Sequence, residues 1–128
     1  MINVVAALIE KNGKVLIARR ATGDPNVLGK WEFPGGKVKD GEDYKHAIER
    51  EIKEEFELKI KANNFLVNNI HKYPNKTVNL NLYSCKCISG DFKLHDHSKY
   101  QFVDKKDLLK YDLADADIPL AEFVKEMK

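Results

Sequence analysis

Three carboxylates crowd one short stretch: Glu51, Glu54 and Glu55 stand in Arg50-Glu51-Ile52-Lys53-Glu54-Glu55. On a helix of about 100° per residue, Glu54 falls near 300° and Glu55 near 40° from Glu51, so the trio shares about 100° of arc. Tyr44, Ile48, Ile52 and Phe56 occupy roughly 20° to 140° of the same wheel, which places Glu55 at the edge of the apolar stripe. Carboxylates there repel one another and resist desolvation. Basic neighbours, a divalent cation or protonation would offset that cost, and hard cations such as Mg²⁺ favour oxygen ligands of this kind. Taken alone, a Glu- and Lys-rich stretch also reads as an ordinary solvated helix face. What changes the balance is Pro34-Gly35-Gly36 upstream. Such a backbone lets a polyphosphate or a metal approach main-chain groups.

The elements that must position these residues follow from pattern. Ile2–Ile9 is an apolar, β-branched run, Asn12-Gly13 is a turn signal, and Lys14–Arg20 reads as a second strand, so a hairpin is predicted. Ala21–Lys30 is a loop. Trp31-Glu32-Phe33 is a short extended piece stopped by Pro34-Gly35-Gly36. Residues from Gly41 to Glu57 form the clearest helix. Ile60–Ile70 is a strand region broken by asparagines, Thr77–Cys87 alternates as a half-buried strand, and Tyr100–Val103 is a further short strand. Asp104 is placed to cap a helix over Lys105–Leu109. A last helix is predicted over Ile118–Met127, with Pro119 in its first turn and Asp117 as its N-cap. Strands dominate and helices interrupt them, which predicts an α/β or α+β sandwich around a mixed sheet.

Composition narrows the function classes. The 128 residues suit one domain, taken as residues 1–128, with a core that needs no staples. The formal charge of +2 is too near balance for a non-specific binder of polymeric nucleic acid. No apolar run reaches membrane-spanning length, and the apolar start lacks the basic region of a signal peptide. Cys85 and Cys87 cannot form a disulfide framework and read as reduced thiols, which predicts a cytoplasmic protein.

Residues 36–58, GKVKDGEDYKHAIEREIKEEFEL, resemble the Nudix box, G-x5-E-x7-R-E-U-x-E-E-x-G-U, with U a bulky aliphatic. Gly36, Glu42, Arg50, Glu51, Glu54 and Glu55 match, with Ile52 and Leu58 at aliphatic positions. The resemblance extends along the chain. WEFPGG at residues 31–36 is typical of the MutT-type branch, and the tail from Leu113 to Leu120 is similar to that of the CTP pyrophosphohydrolase subgroup. It implies a Nudix-like α/β/α sandwich. The box departs at one place: its closing glycine, where a left-handed residue normally ends the helix, is Glu57 here. Strain or a differently shaped helix end is predicted there, without loss of chemistry.

The resemblance also implies roles. Glu51, Glu54 and Glu55 would bind Mg²⁺, with Mn²⁺ as an alternative, together with the Gly36 carbonyl; Gly35 falls on the family's diglycine contact. Glu42 and Arg50 match structural positions, and an ion pair between them is predicted. Asp96 occupies the place of a later acidic residue that serves such enzymes as ligand or general base, so Glu51, Glu54 and Asp96 are the catalytic candidates. His95 and His97, which flank Asp96, read as solvated loop histidines. Arg20, Phe33 and Lys37 are substrate-binding candidates, and Asp117 is the residue expected to read the base edge. Tyr73, Tyr83 and Trp31 remain unassigned.

The implied activity is a Mg²⁺-dependent pyrophosphohydrolase that cleaves nucleoside triphosphates to the monophosphate and pyrophosphate, in nucleotide pool cleansing or housekeeping. CTP, dCTP and modified or oxidised nucleotides such as 8-oxo-dGTP are the substrates it points to. Two rivals stay open: a Nudix hydrolase of another nucleoside diphosphate derivative, and a Nudix module that binds nucleotide without cleaving it. A monomer or a homodimer fits either reading.

Overall fold

The structure, a computed structural model, describes residues 1–127. Strand β1 spans Ile2–Lys11 and β2 spans Lys14–Arg20, joined through Asn12 and Gly13, both at positive φ (53° and 78°). Left-handed conformations at both central residues match the right-handed twist of a hairpin. The expected hairpin is real only at its tip, where Glu10 faces Val15 and Lys11 faces Lys14. Beyond that the strands diverge. β1 runs parallel to β6 (Lys76–Ser89), from Ile2 opposite Val78 to Ile9 opposite Cys85, and antiparallel to β4 (Gly35–Lys37). β2 pairs antiparallel with β3 (Trp31–Glu32) and β7 (His97–Asp104). β5 (Lys59–Tyr73) closes the far edge against β6.

Burial explains the layering. Along β1, Val5, Ala7 and Ile9 point to one face and pack with Ala47, Ile48, Ile52 and Phe56 of helix α1 (Tyr44–Phe56). Ala6 and Leu8 point to the other face and join Leu120, Ala121 and Val124 of helix α2 (Ile118–Lys125). A strand with period-2 alternation in which both sets are apolar must be covered on both sides. The mixed sheet between helices that the sequence implies is therefore observed.

Several boundaries moved. Pro34-Gly35-Gly36 does not simply stop a strand: Gly35–Lys37 is β4, hydrogen-bonded to Val4–Ala6. A side chain at Gly35 would collide with the Val5 carbonyl, so only glycine lets this strand lie so close to β1. The asparagines of β5 do not break it: Asn63 is taken up by a bulge between Ala62 and Asn64, and Asn64, Asn68 and Asn69 keep their pairing with β6. Helix α1 starts at Tyr44, because the Asp43 carboxylate accepts from the His46 N–H at 3.2 Å and caps it there. Lys105–Lys110 is a 3-10 turn, and the Asp104 side chain makes no capping bond. Asp117 does not cap α2 either: its backbone is already right-handed helical and its carboxylate is engaged elsewhere. α2 ends at Lys125.

The end of α1 is where the chain departs from its motif. Glu57 is left-handed, at φ 55° and ψ 32°, and its N–H donates to the Lys53 carbonyl. The predicted strain is thus present, and the side chain has found a partner. Glu57 Oε2 lies 2.7 Å from His95 Nε2, and Lys93 Nζ is 3.9 Å from Oε1. The hydrogen bond with His95 holds the Glu57 carboxyl below its ordinary value. His95 is therefore not a free solvated histidine.

Two predictions test this fold. Glu57→Gly should melt above Glu57→Ala by roughly 3–5 °C, since both lose the His95 contact and only alanine keeps the left-handed penalty. Equal melting temperatures, read by differential scanning fluorimetry, would deny strain at that position. Burial pushes the Cys85 thiol up to about 12, while Cys87 is exposed. Maleimide at pH 8 should therefore label Cys87 alone, since the thiolate is the nucleophile; mass spectrometry finding fast modification of Cys85 would contradict this packing.

Candidate active site

One cavity of about 430 Å³ opens where β1, β4, α1 and the Asp115–Asp117 turn meet. Its lining includes Arg20, Phe33, Gly35, Gly36, Lys37, Glu51, Glu55 and Asp117. Eight of the sequence candidates thus converge. Glu54 and Asp96 do not line it. The Glu54 side chain is 55% exposed and turns to Arg50 at 3.3 Å. Asp96 lies outside, with the Thr22 hydroxyl 3.4 Å from its Oδ1.

The acidic end is built by α1 pressing against β4. A β-carbon at Gly36 would collide with the Glu51 carboxylate, so the diglycine makes room for that side chain. Arg50 ties the wall together. Its Nε and Nη2 each donate at 2.8 Å to a Glu42 oxygen, its Nη1 donates at 2.8 Å to Glu51, and its Nη2 reaches the Lys37 carbonyl at 3.0 Å. The predicted Arg50–Glu42 pair is there as a fork. Hydrogen bonds from Arg50 hold the Glu42 carboxyl well below the usual carboxylate range. Burial acts the other way on Glu51 and raises it.

Glu55 is a strongly perturbed acid. It is 6% exposed, and burial pushes its carboxyl up to about 8 against the opposing pull of Arg20. Arg20 Nη1 stands 3.4 Å from Glu55 Oε1 and 3.4 Å from Glu32 Oε2, so this arginine bridges two acids. Glu55 Oε2 is buried with no partner. Such an atom is costly unless something else satisfies it. Among the described residues no three acidic, histidine or cysteine side chains already converge as a cation site. The donors nonetheless suit a hard cation: an orphaned buried carboxylate oxygen on Glu55 and a second carboxylate, Glu51, packed against Gly36.

The apolar end is lined by Val4, Val27, Phe33, Val78 and Leu80. Asp117 reaches it because the Leu113 segment runs parallel to Trp31: Trp31 N–H donates to Asp112 O and Ala114 N–H to Trp31 O, both at 2.9 Å. Asp117 Oδ2 accepts the Phe33 N–H at 2.9 Å. Among the described residues its other oxygen has no hydrogen-bond partner, and Asp117 lines the cavity. Burial, with Glu32 nearby, raises the Asp117 carboxyl well above its ordinary value.

Sequence reasoning missed four contributors. Glu32 was visible only as part of WEFPGG. His97 was read as a solvated loop residue; it is buried, stacks on Phe56 at 5.0 Å and meets Glu32 Oε2 at 3.0 Å through Nε2. Asp24 and Lys76 pair at 2.7 Å across the mouth, and hydrogen bonding to Lys76 lowers Asp24 to about 2. No spacing rule joins residues so far apart in sequence.

Comparison with known proteins identifies the family. The model of the NUDIX domain family matches residues 1–126. The CTP pyrophosphohydrolase of Escherichia coli (strain K12) is 34% identical over 122 residues, covering 95% of this chain and 90% of that protein. The 8-oxo-dGTP diphosphatase of Proteus vulgaris is 31% identical over 83 residues, covering 64% of this chain and 73% of that protein. Among solved structures, the E. coli ORF135 protein superposes with a TM-score of 0.84 at 32% identity, covering 95% of this chain and 86% of that chain. The MutT protein of Methanosarcina mazei Go1 gives 0.84 at 27% identity, with 97% and 90% covered. The family-model match over residues 1–126, together with 34% identity to a CTP pyrophosphohydrolase along nearly the whole chain, places this protein in the Nudix family as a hydrolase of phosphorus-containing anhydrides.

Proposed function

We propose that the protein is a MutT-type pyrophosphohydrolase that takes a nucleoside triphosphate and water to the nucleoside monophosphate and pyrophosphate, with a cytidine nucleotide as its principal substrate. The observation that carries the reading is the two-ended cavity: a wall with the Glu51 and Glu55 carboxylates at one end and, at the other, an apolar slot beside Asp117, whose Oδ2 is held by the Phe33 N–H. A triphosphate suits the first end once a cation is present, and a flat base suits the second.

Glu51, Glu54 and Glu55, with the Gly36 carbonyl, would hold Mg²⁺ or Mn²⁺. Such an ion supplies neutralisation of phosphate charge and activation of water. The chain's own groups do the rest. Lys37, at the cavity wall, meets phosphate oxygens. Arg20 keeps Glu55 oriented while presenting positive charge to the cavity. Glu54 stands outside the cavity against Arg50 at 3.3 Å, and it would have to leave that contact to serve as metal ligand or as the base that takes the water's proton. Asp96 acts from further out, through its charge on Arg20 and Glu55. Phe33 stacks in the base slot, and its N–H fixes Asp117 so that the free oxygen can accept from an exocyclic amine, as cytosine N4 offers. The named relatives favour the same two substrate groups, cytidine and oxidised guanine nucleotides.

Glu55→Gln should lower kcat by roughly 10³-fold or more, yet hold or raise the melting temperature, because it removes a carboxylate that burial opposes. Near-wild-type turnover would remove Glu55 from the machinery. A nucleotide panel with Mg²⁺ should give highest kcat/KM for CTP or dCTP, with pyrophosphate as the second product; orthophosphate release would refute the cleavage site. Asp117→Ala should flatten the ranking of bases, and an unchanged ranking would take base reading away from it.

A further inference from the structure

Tyr73, at the end of β5, lines the base end of the cavity and is 5% exposed. Its hydroxyl oxygen accepts the Ala116 N–H at 3.0 Å, which holds that oxygen beside the residue preceding Asp117. His71 packs edge-on against the ring at 4.5 Å, and Lys76 Nζ sits 5.9 Å from its centroid. The ring is thus clamped. A tyrosyl hydroxyl is one donor as well as an acceptor. Ala116 uses only the acceptor side, and no protein acceptor takes the Tyr73 hydrogen among the described residues. A buried O–H without an acceptor is a cost that a ligand removes.

Asp117 presents the opposite character a few atoms away along the chain: one oxygen is held by Phe33 and the other has no hydrogen-bond partner among the described residues. A fixed donor and a fixed acceptor on one wall describe the edge of a base that carries an amine next to an unprotonated ring nitrogen. We infer that Tyr73 is a second base-reading residue, whose hydroxyl donates to ring nitrogen N3 of cytosine while Asp117 accepts from the neighbouring N4 amine. This rests on the cytidine reading above and adds a residue and an atom to it. Uracil presents a carbonyl and an N–H in those two places and meets the pair with the wrong polarity.

The test pairs an enzyme variant with a substrate variant. Wild type and Tyr73→Phe are assayed on CTP and on 3-deazacytidine triphosphate, which keeps the amine and lacks N3. Wild-type kcat/KM should fall roughly tenfold from CTP to the deaza analogue, the scale of one hydrogen bond. Tyr73→Phe should lose a similar factor on CTP and almost nothing on the analogue. A tyrosine that merely props the Ala116 turn would lose equally on both, which overturns the inference. If the variant does not fold, the wild-type ratio alone decides, and equal rates on the two substrates defeat the assignment. No cleavage of CTP by the wild type would instead defeat the cytidine reading, and this inference with it.

Discussion

The whole site hangs on how closely β4 approaches its neighbours. Gly35 lets the backbone lie against Val5 of β1, and Gly36 leaves the space that the Glu51 carboxylate fills. A β-carbon at Gly35 would strike the β1 backbone and one at Gly36 the Glu51 carboxylate of α1, while Ile48, Ile52 and Phe56 of the same helix pack into the core beside the nearly buried Glu55. A carboxylate at the boundary of an apolar interface is expensive. The fold meets the cost partly through Arg20, and one oxygen is left with nothing. Strain of this sort collects where chemistry is done.

Arg50 and Arg20 divide the electrostatic work. Arg50 satisfies the outer acids, Glu42 fully and Glu51 in part, and so fixes α1 against the strand that carries Lys37. Arg20 faces inward and shares its charge between Glu32 and Glu55, with His97 on the far side of Glu32. The inner carboxylates are therefore under-neutralised while the outer one is saturated.

Glu57 shows how a motif residue can be exchanged without dismantling the motif. The left-handed end of α1 persists although its glycine is gone, because the helix must turn at that point to deliver Leu58 and Ile60 to the core. The side chain that bears the strain is tied to His95, and the loop backbone follows, with Lys93 N–H donating to Phe56 O at 3.1 Å. The segment leading to Asp96 is in this way anchored to the helix that carries the other acids.

Local sequence determined what depends on local spacing. The carboxylate ridge, its overlap with the apolar stripe and the β1 and β2 strands follow from residues within one helix or one turn, where periodicity is a reliable guide, and the Arg50–Glu42 pair and the left-handed end at Glu57 follow from the resemblance to the Nudix box. Tertiary structure alone decided which ridge member turns inward: Glu55 and Glu51 face the cavity and Glu54 does not, a matter of where β4 and Arg50 happen to lie. It also decided that Asp117 serves Phe33 and not α2, that His97 is buried on Phe56, and that Glu32 and Tyr73 belong to the site. Those contacts join residues up to 84 positions apart, brought together by strand pairing across the sheet, and no local pattern encodes a partner at that distance.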